Sequence, residues 1–243
     1  MFGGAVAAAA FNDDHGKPLG VTVDWLEDQP IEPTATAPGQ VNETPDAAPT
    51  AAPDTPVPVV GFTFPIAGGC LPEGDGLMPG ALREYRNGIH EGVDFYDIDN
   101  CTSIGIDTEV VAAKAGTVVR ADLDYEDITP EEVAQLEQEA LANGSSEAIE
   151  DRFRGRQVWV DHGAGIVTRY AHLNGIADDI VVGSAVSQGE LIGYVGDSGT
   201  PESVTAPGSE AHLHFEIRID SGYLGQSLTA EAVRGVYIVA FEP

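Results

Sequence analysis

Four histidines and one aspartate stand in short motifs that suit metal chemistry: His90 and Asp94 in "IHEGVDFYD", His172 in "TRYAHL", and His212 and His214 in "AHLHFEIR". Imidazole nitrogen and carboxylate oxygen are ligands that Zn2+ takes at about 2.0–2.2 Å, and a catalytic zinc keeps three protein ligands with a fourth position for water. One aspartate and two histidines, drawn from two neighbouring strands, meet that need. Zinc lowers the pKa of its water from about 15.7 to near 7 and polarises a scissile carbonyl. A neutral imidazole beside it can take the proton and return it to a leaving amine, while another can donate a hydrogen bond to the oxyanion. Taken separately, HxxxD and HxH are weak motifs. Their combination with "YAHL" is a much stronger signal.

The elements that must position these groups are strands. Successive side chains on a strand point to opposite faces, so His212 and His214 share one face while Leu213 and Phe215 share the other. The even spacing of His90 and Asp94 likewise places both on one face of a strand. Glycine-punctuated, β-rich runs such as "TEVVAAKAGTVVRAD", "GRQVWVDHGAGIVTRYAHL" and "DIVVGSAVSQGELIGYVGDSG" predict an all-β domain of mainly antiparallel sheets, sandwich-like or barrel-like. "AKAGTVV" and "SQGELIGYVG" look like a weak internal duplication. One segment departs from this texture. In "TPEEVAQLEQEALANG" Thr129 is placed to cap a helix, Pro130 to begin it, Glu132 to complete a capping box, and Asn143 and Gly144 to stop it. Val133, Leu136, Ala140 and Leu141 form its apolar stripe. Residues about 122–155 are therefore expected to be an acidic insertion with one helix, either decoration or a wall facing a substrate.

Forty acidic against eleven basic residues give a formal net charge of -29. That balance repels phosphate backbones and anionic headgroups, so no nucleic acid and no direct membrane contact by the domain are expected. Residues 27–60 are rich in Pro, Ala and Thr, lack Lys and Arg, and read as a linker after an N-terminal segment, 1–26, of unclear structure. The opening "MFGGAVAAAAFNDD" is a poor signal peptide, and the true start is expected upstream. The two cysteines, Cys70 and Cys101, flank the first histidine motif; in a secreted chain they read as one disulfide, otherwise as two buried thiols.

In order and in connecting strands, "HEGVD", "TRYAHL" and "HLHFEIR" resemble the lysostaphin-like (LytM-type) zinc endopeptidases, which cleave peptide bonds in bacterial peptidoglycan. The resemblance covers roughly residues 60–220. It implies a peptidase domain over 61–243, one zinc ion held by His90, Asp94 and His214, and His172 and His212 as catalytic residues beside the metal-activated water. His212 is favoured as the base because it shares a strand face with a ligand. The resemblance also implies peptidoglycan peptides as substrate and an extracellular or cell-envelope setting, and a monomer is expected. A non-cleaving wall-binding or amidase-activating module is the alternative. Asp97 and Asp99 read as turn caps and His162 as a turn or supporting residue. Tyr85 and Tyr170 are either oxyanion donors or packing residues, and His15 is assigned nothing.

Overall fold

The computed structural model describes residues 59–242; the expected N-terminal segment and nearly all of the expected linker lie outside them. Twelve strands and four α-helices follow one another in these residues. A ribbon of β1 (Leu82–Arg83) and β2 (Gly88–Ile89) leads into β3 (Val93–Phe95), then β4 (Glu109–Val111) and β5 (Gly116–Ala121). The helices α1 (Pro130–Asn143) and α2 (Glu147–Phe153) intervene before β6 (Val158–Asp161), β7 (Ile166–Ala171) and β8 (Leu173–Ile176). After β9 (Ala185–Val186) and β10 (Leu191–Val195) come the short α3 (Pro201–Thr205), β11 (Leu213–Ile219), β12 (Gly222–Tyr223) and α4 (Ala230–Ala240).

The larger sheet runs β12-β11-β7-β6-β5-β9, with β3 also on β11, and the smaller runs β4-β10-β8; the pairings are antiparallel. The all-β, antiparallel expectation is met. The two similar segments carry β5 and β10, and each pairs with the strand that precedes the other: β5 with β9 and β10 with β4. Strand β11 is the axis of the site. Leu213, Phe215 and Ile217 on one face are wholly buried among Phe95, Val93 and Tyr170, and full burial of side chains of this size contributes about 1.5–3 kcal/mol each. The opposite face is thereby held in register for His212, His214 and Glu216.

Helix α1 begins as read, with the Thr129 hydroxyl accepting from the Glu132 N–H and Gly144 at its end. The Glu132 carboxylate is held both by the Thr129 backbone N–H, as the capping box requires, and by the Arg152 guanidinium at 2.7 Å. Leu141 is 58% exposed, so the buried stripe is Val133 and Ala140 with Leu136 beside them. Helix α2, the short α3 and the C-terminal α4 were not anticipated, so the helix content exceeds the one inserted helix expected. Their N-caps, Ser146, Thr200 and Thr229, accept from the N–H groups of Ile149, Ser203 and Ala232 and are residues of the capping type.

Cys70 and Cys101 form a disulfide across 31 residues. A loop of that length restricts the unfolded chain by about 3–4 kcal/mol. Replacing both cysteines by serine is expected to lower unfolding free energy by that amount in urea titration. A change under about 1 kcal/mol would show that residual structure in the unfolded chain already restricts this loop.

Candidate metal centre

His90 and Asp94 do not lie on one continuous strand. His90 follows β2, the chain turns through Glu91 and Gly92, and Asp94 sits in β3. Gly92 is required by the close approach of β11: a Cβ there would stand 2.5 Å from the Phe215 carbonyl oxygen and 2.8 Å from His214 Cε1. The turn achieves what the even spacing was expected to achieve. His90 Nε2 is 2.9 Å from Asp94 Oδ1, His214 Nδ1 is 2.8 Å from the same oxygen, and the two imidazole nitrogens are 3.0 Å apart. All three side chains are buried.

This donor set suits a divalent metal ion. Tetrahedral donors at about 2.0 Å from zinc stand roughly 3.3 Å from one another, so the three atoms fit after a small outward shift. The outer nitrogens explain why the inner ones face the centre. His90 Nδ1 donates to the Met78 carbonyl at 3.1 Å, and His214 Nε2 donates to the Glu216 carboxylate at 3.0 Å. A carbonyl or carboxylate can only accept, so in the metal-binding form each imidazole keeps its proton on the outer nitrogen and presents a lone pair inward, whereas the cationic form of His214 that Asp94 and Glu216 favour is protonated on both nitrogens.

His212 and His172 obey the same rule. His212 Nδ1 donates to the Glu210 carbonyl at 2.6 Å and His172 Nδ1 to the Ser198 carbonyl at 2.8 Å. Their rings are 4.5 Å apart, and His212 Nε2 lies 3.8 Å from Asp94 Oδ1. His172 sits at the β7–β8 junction with φ +59°, a left-handed conformation that costs energy in a non-glycine residue and is kept where surroundings enforce it. Here its N–H donates to the Arg154 carbonyl at 2.8 Å. His212 is fixed on its other face by the Tyr96 ring, stacked at 4.2 Å and 10°.

Burial governs the charge states. It pushes His90 down to about 4 in spite of Asp94, depresses His212 in the same way, and with the neighbouring histidines holds His172 well below 6.5. His214 is the exception: burial opposes its protonation, but Asp94 and Glu216 outweigh it and raise the pKa above 6.5. Asp94 and Glu216 stay ionised because their cationic and hydrogen-bonding partners overcome the burial that opposes charge.

The sequence reading omitted the residues behind this centre. Glu216 is fully buried and receives Arg154 Nε at 2.6 Å and Arg218 at 3.1 Å; Arg83 donates to Asp94 Oδ2 at 2.8 Å. Alternation from His212 through His214 gave a signal for Glu216. None marked Arg154, which arrives from the end of the insertion. The centre opens into a groove of about 600 Å³ whose walls include Tyr85, Tyr96, Glu137, Glu150, Phe153 and Glu202. Asp97 and Asp99 accept backbone N–H groups and cap turns, while His162 bonds Ala115 and Thr168 away from the groove. Tyr170 is buried core; Tyr85 lines the groove.

The family model for peptidase family M23 matches residues 88–226, more than half of the chain. The chain belongs to peptidase family M23. Within this M23 chain, a stretch of 72 residues is 36% identical to an L-Ala–D-Glu endopeptidase of Bacillus subtilis, covering 30% of the chain and 22% of that protein. The chain thus spans under a quarter of that relative's length. Among solved structures, a zinc-containing peptidase from Vibrio cholerae is 18% identical at a TM-score of 0.40, over 67% of this chain and 38% of that one. The lysostaphin catalytic domain from Staphylococcus simulans is 22% identical at 0.33, over 55% and 69%. At such scores these two likenesses add nothing to the assignment.

The charge states of this M23 site set how metal binding depends on pH. His90 is already neutral near pH 6.5, whereas His214, with its pKa above that value, must lose a proton to bind. Zn2+ affinity is therefore expected to fall by up to about tenfold per pH unit below His214's pKa and to level off above it. Calorimetry in buffers of different ionisation enthalpy should count about one proton released at mildly acidic pH. Affinity independent of pH in that range would refute the assignment of the proton to His214.

Proposed function

We propose that this chain is a zinc-dependent endopeptidase that hydrolyses peptide bonds in bacterial peptidoglycan, with residues 61–243 as the peptidase domain. His90, Asp94 and His214 would hold the ion. One observation carries the reading: beside the three-donor set stand two further imidazoles, His212 and His172, each with an unprotonated Nε2. A binder of metal alone has no chemical use for them. When bound, zinc supplies a Lewis acid for the scissile carbonyl and lowers the pKa of water.

The chain's own groups do the rest. His212, neutral near pH 7, accepts a proton at Nε2, and the Glu210 carbonyl and the Tyr96 ring keep that nitrogen aimed inward. It returns the proton to the departing amine. Its position 3.8 Å from Asp94 Oδ1 supports it as the base. With its proton on Nδ1, donated to the Ser198 carbonyl, His172 has none on Nε2 to give at rest. It acts as a second acceptor that orients the attacking water. Burial of the whole group keeps these bonds from competition with bulk water. Membership of M23, the substrate class of the resemblance and the disulfide together support an extracellular or cell-envelope setting.

Release of new amino groups from purified peptidoglycan tests the reading. His212→Ala is expected to slow release by about 10²- to 10⁴-fold while retaining zinc. Equal rates would sink the proposal, and zinc binding by the wild type without any release would favour a non-cleaving wall-binding or amidase-activating module. His90→Ala and Asp94→Ala are each expected to lose stoichiometric zinc in elemental analysis. Tight retention in both variants would refute the ligand set.

A further inference from the structure

Helix α1 packs against two separate parts of the groove wall, the 3-10 turn Glu84–Arg86 and helix α3. Tyr85 and Arg86 line the groove from the first, and Pro201 and Glu202 from the second. The insertion is fastened on both sides. Towards the first wall, Glu150 forms an ion pair with Arg86, and the Phe153 ring meets Tyr85 edge-on at 6.3 Å. Towards the second, Asp127 Oδ1 accepts the Gly199 N–H at 3.0 Å, and the backbone of Gly155 lies so close to Gly199 that neither residue has room for a side chain.

The insertion is also braced within itself. Ala140, Ile149 and Phe153 form a small core with Leu136, and Arg152 holds Glu132 at 2.7 Å, while Arg120 of β5 ties Asp151 to the sheet at 2.5 Å. Glu137 of α1 and Glu150, Phe153 and Arg154 at or beyond α2 face the groove. An α-helix with its side chains is about 10–12 Å thick. In contact with elements of both walls, a helix of that thickness is an obstacle to a polymer strand at that end.

We infer that the insertion is a crossbar that stops the groove at one end, so that the site takes short or chain-end peptides in preference to peptides embedded in cross-linked wall. This specificity rests on the proposed peptidase reading for the identity of the substrate, but its steric basis does not. The groove's volume of about 600 Å³ is in the range of sites that take small ligands. Selection arises by exclusion: the larger substrate is rejected by a clash, with no new attraction to the smaller one.

The test uses the full chain loaded with zinc and two probes, a fluorescently labelled, uncross-linked stem peptide followed by anisotropy and purified cross-linked sacculi followed by co-sedimentation. Wild type is expected to bind the peptide at least about tenfold more tightly per peptide unit than sacculi. Replacing residues 130–146 by a short Gly/Ser link should bring the two affinities within about twofold by gain on sacculi. The paired change Asp127→Ala and Glu132→Ala loosens the bar at its root without touching the main core, and should move the ratio the same way with peptide affinity unchanged. A wild-type preference for sacculi, or a ratio unmoved in both variants, overturns the crossbar. Peptide preference with no amine release from either probe supports the crossbar and overturns the peptidase reading.

Discussion

Every imidazole at the centre is oriented by what it does with the nitrogen that faces away. Met78, Ser198 and Glu210 offer backbone carbonyls and Glu216 a carboxylate, and each takes one ring N–H. Since these oxygens only accept, four lone pairs are turned toward one small volume once His214 has lost the second proton that Asp94 favours. In water each ring would exchange tautomers and rotate freely; in the folded chain, burial makes the alternative arrangement leave an acceptor and a donor unpaired, at about 1–3 kcal/mol for each such group. The acceptors belong to different segments of the chain. Correct folding around the 3-10 turn Asp75–Leu77, the 196–200 loop and β11 is thus a condition for the site's chemistry.

That dependence explains what could be read from the sequence and what could not. Alternation along "HLHFEIR" gave the two faces of β11, since a buried strand with Leu213 and Phe215 on one side fixes what the other side shows. The caps of α1 were equally local, and Thr129, Pro130 and Gly144 occupy the places their chemistry assigns. His90 and Asp94 meet for a reason that spacing conceals: a turn at Gly92, pressed on β11 by a contact more than 120 residues away in sequence. Arg154 was invisible for the same reason. Nothing local to it announces that its guanidinium ends beside Glu216, 62 residues on.

Arg154 joins the insertion to the centre in two ways. Its guanidinium lies on Glu216, which holds His214, and its carbonyl receives the N–H of His172 in that residue's left-handed conformation. Both connections leave from a single residue at the base of the helical insertion. The energetic asymmetry of buried ion pairs makes this junction sensitive: removing one partner leaves the other charge desolvated, at about 3–5 kcal/mol, although forming the pair contributes little net stability. The outer part of α1 has no comparable tie, and its helical surface is largely solvated.

The placement of the arginines has an effect on the protein's outer field. Arg83, Arg86, Arg154, Arg169 and Arg218, five of the eleven basic residues, have side chains only 5–17% exposed and gather near the groove floor. With so much of its positive charge turned inward, the molecule meets its surroundings as a polyanion wrapped in mobile counterions. An anionic polymer approaching it is repelled over about 10 Å at moderate ionic strength and over about 30 Å in dilute solution. Dissolved salt therefore governs how often such a surface is reached, independently of what the groove does once contact is made.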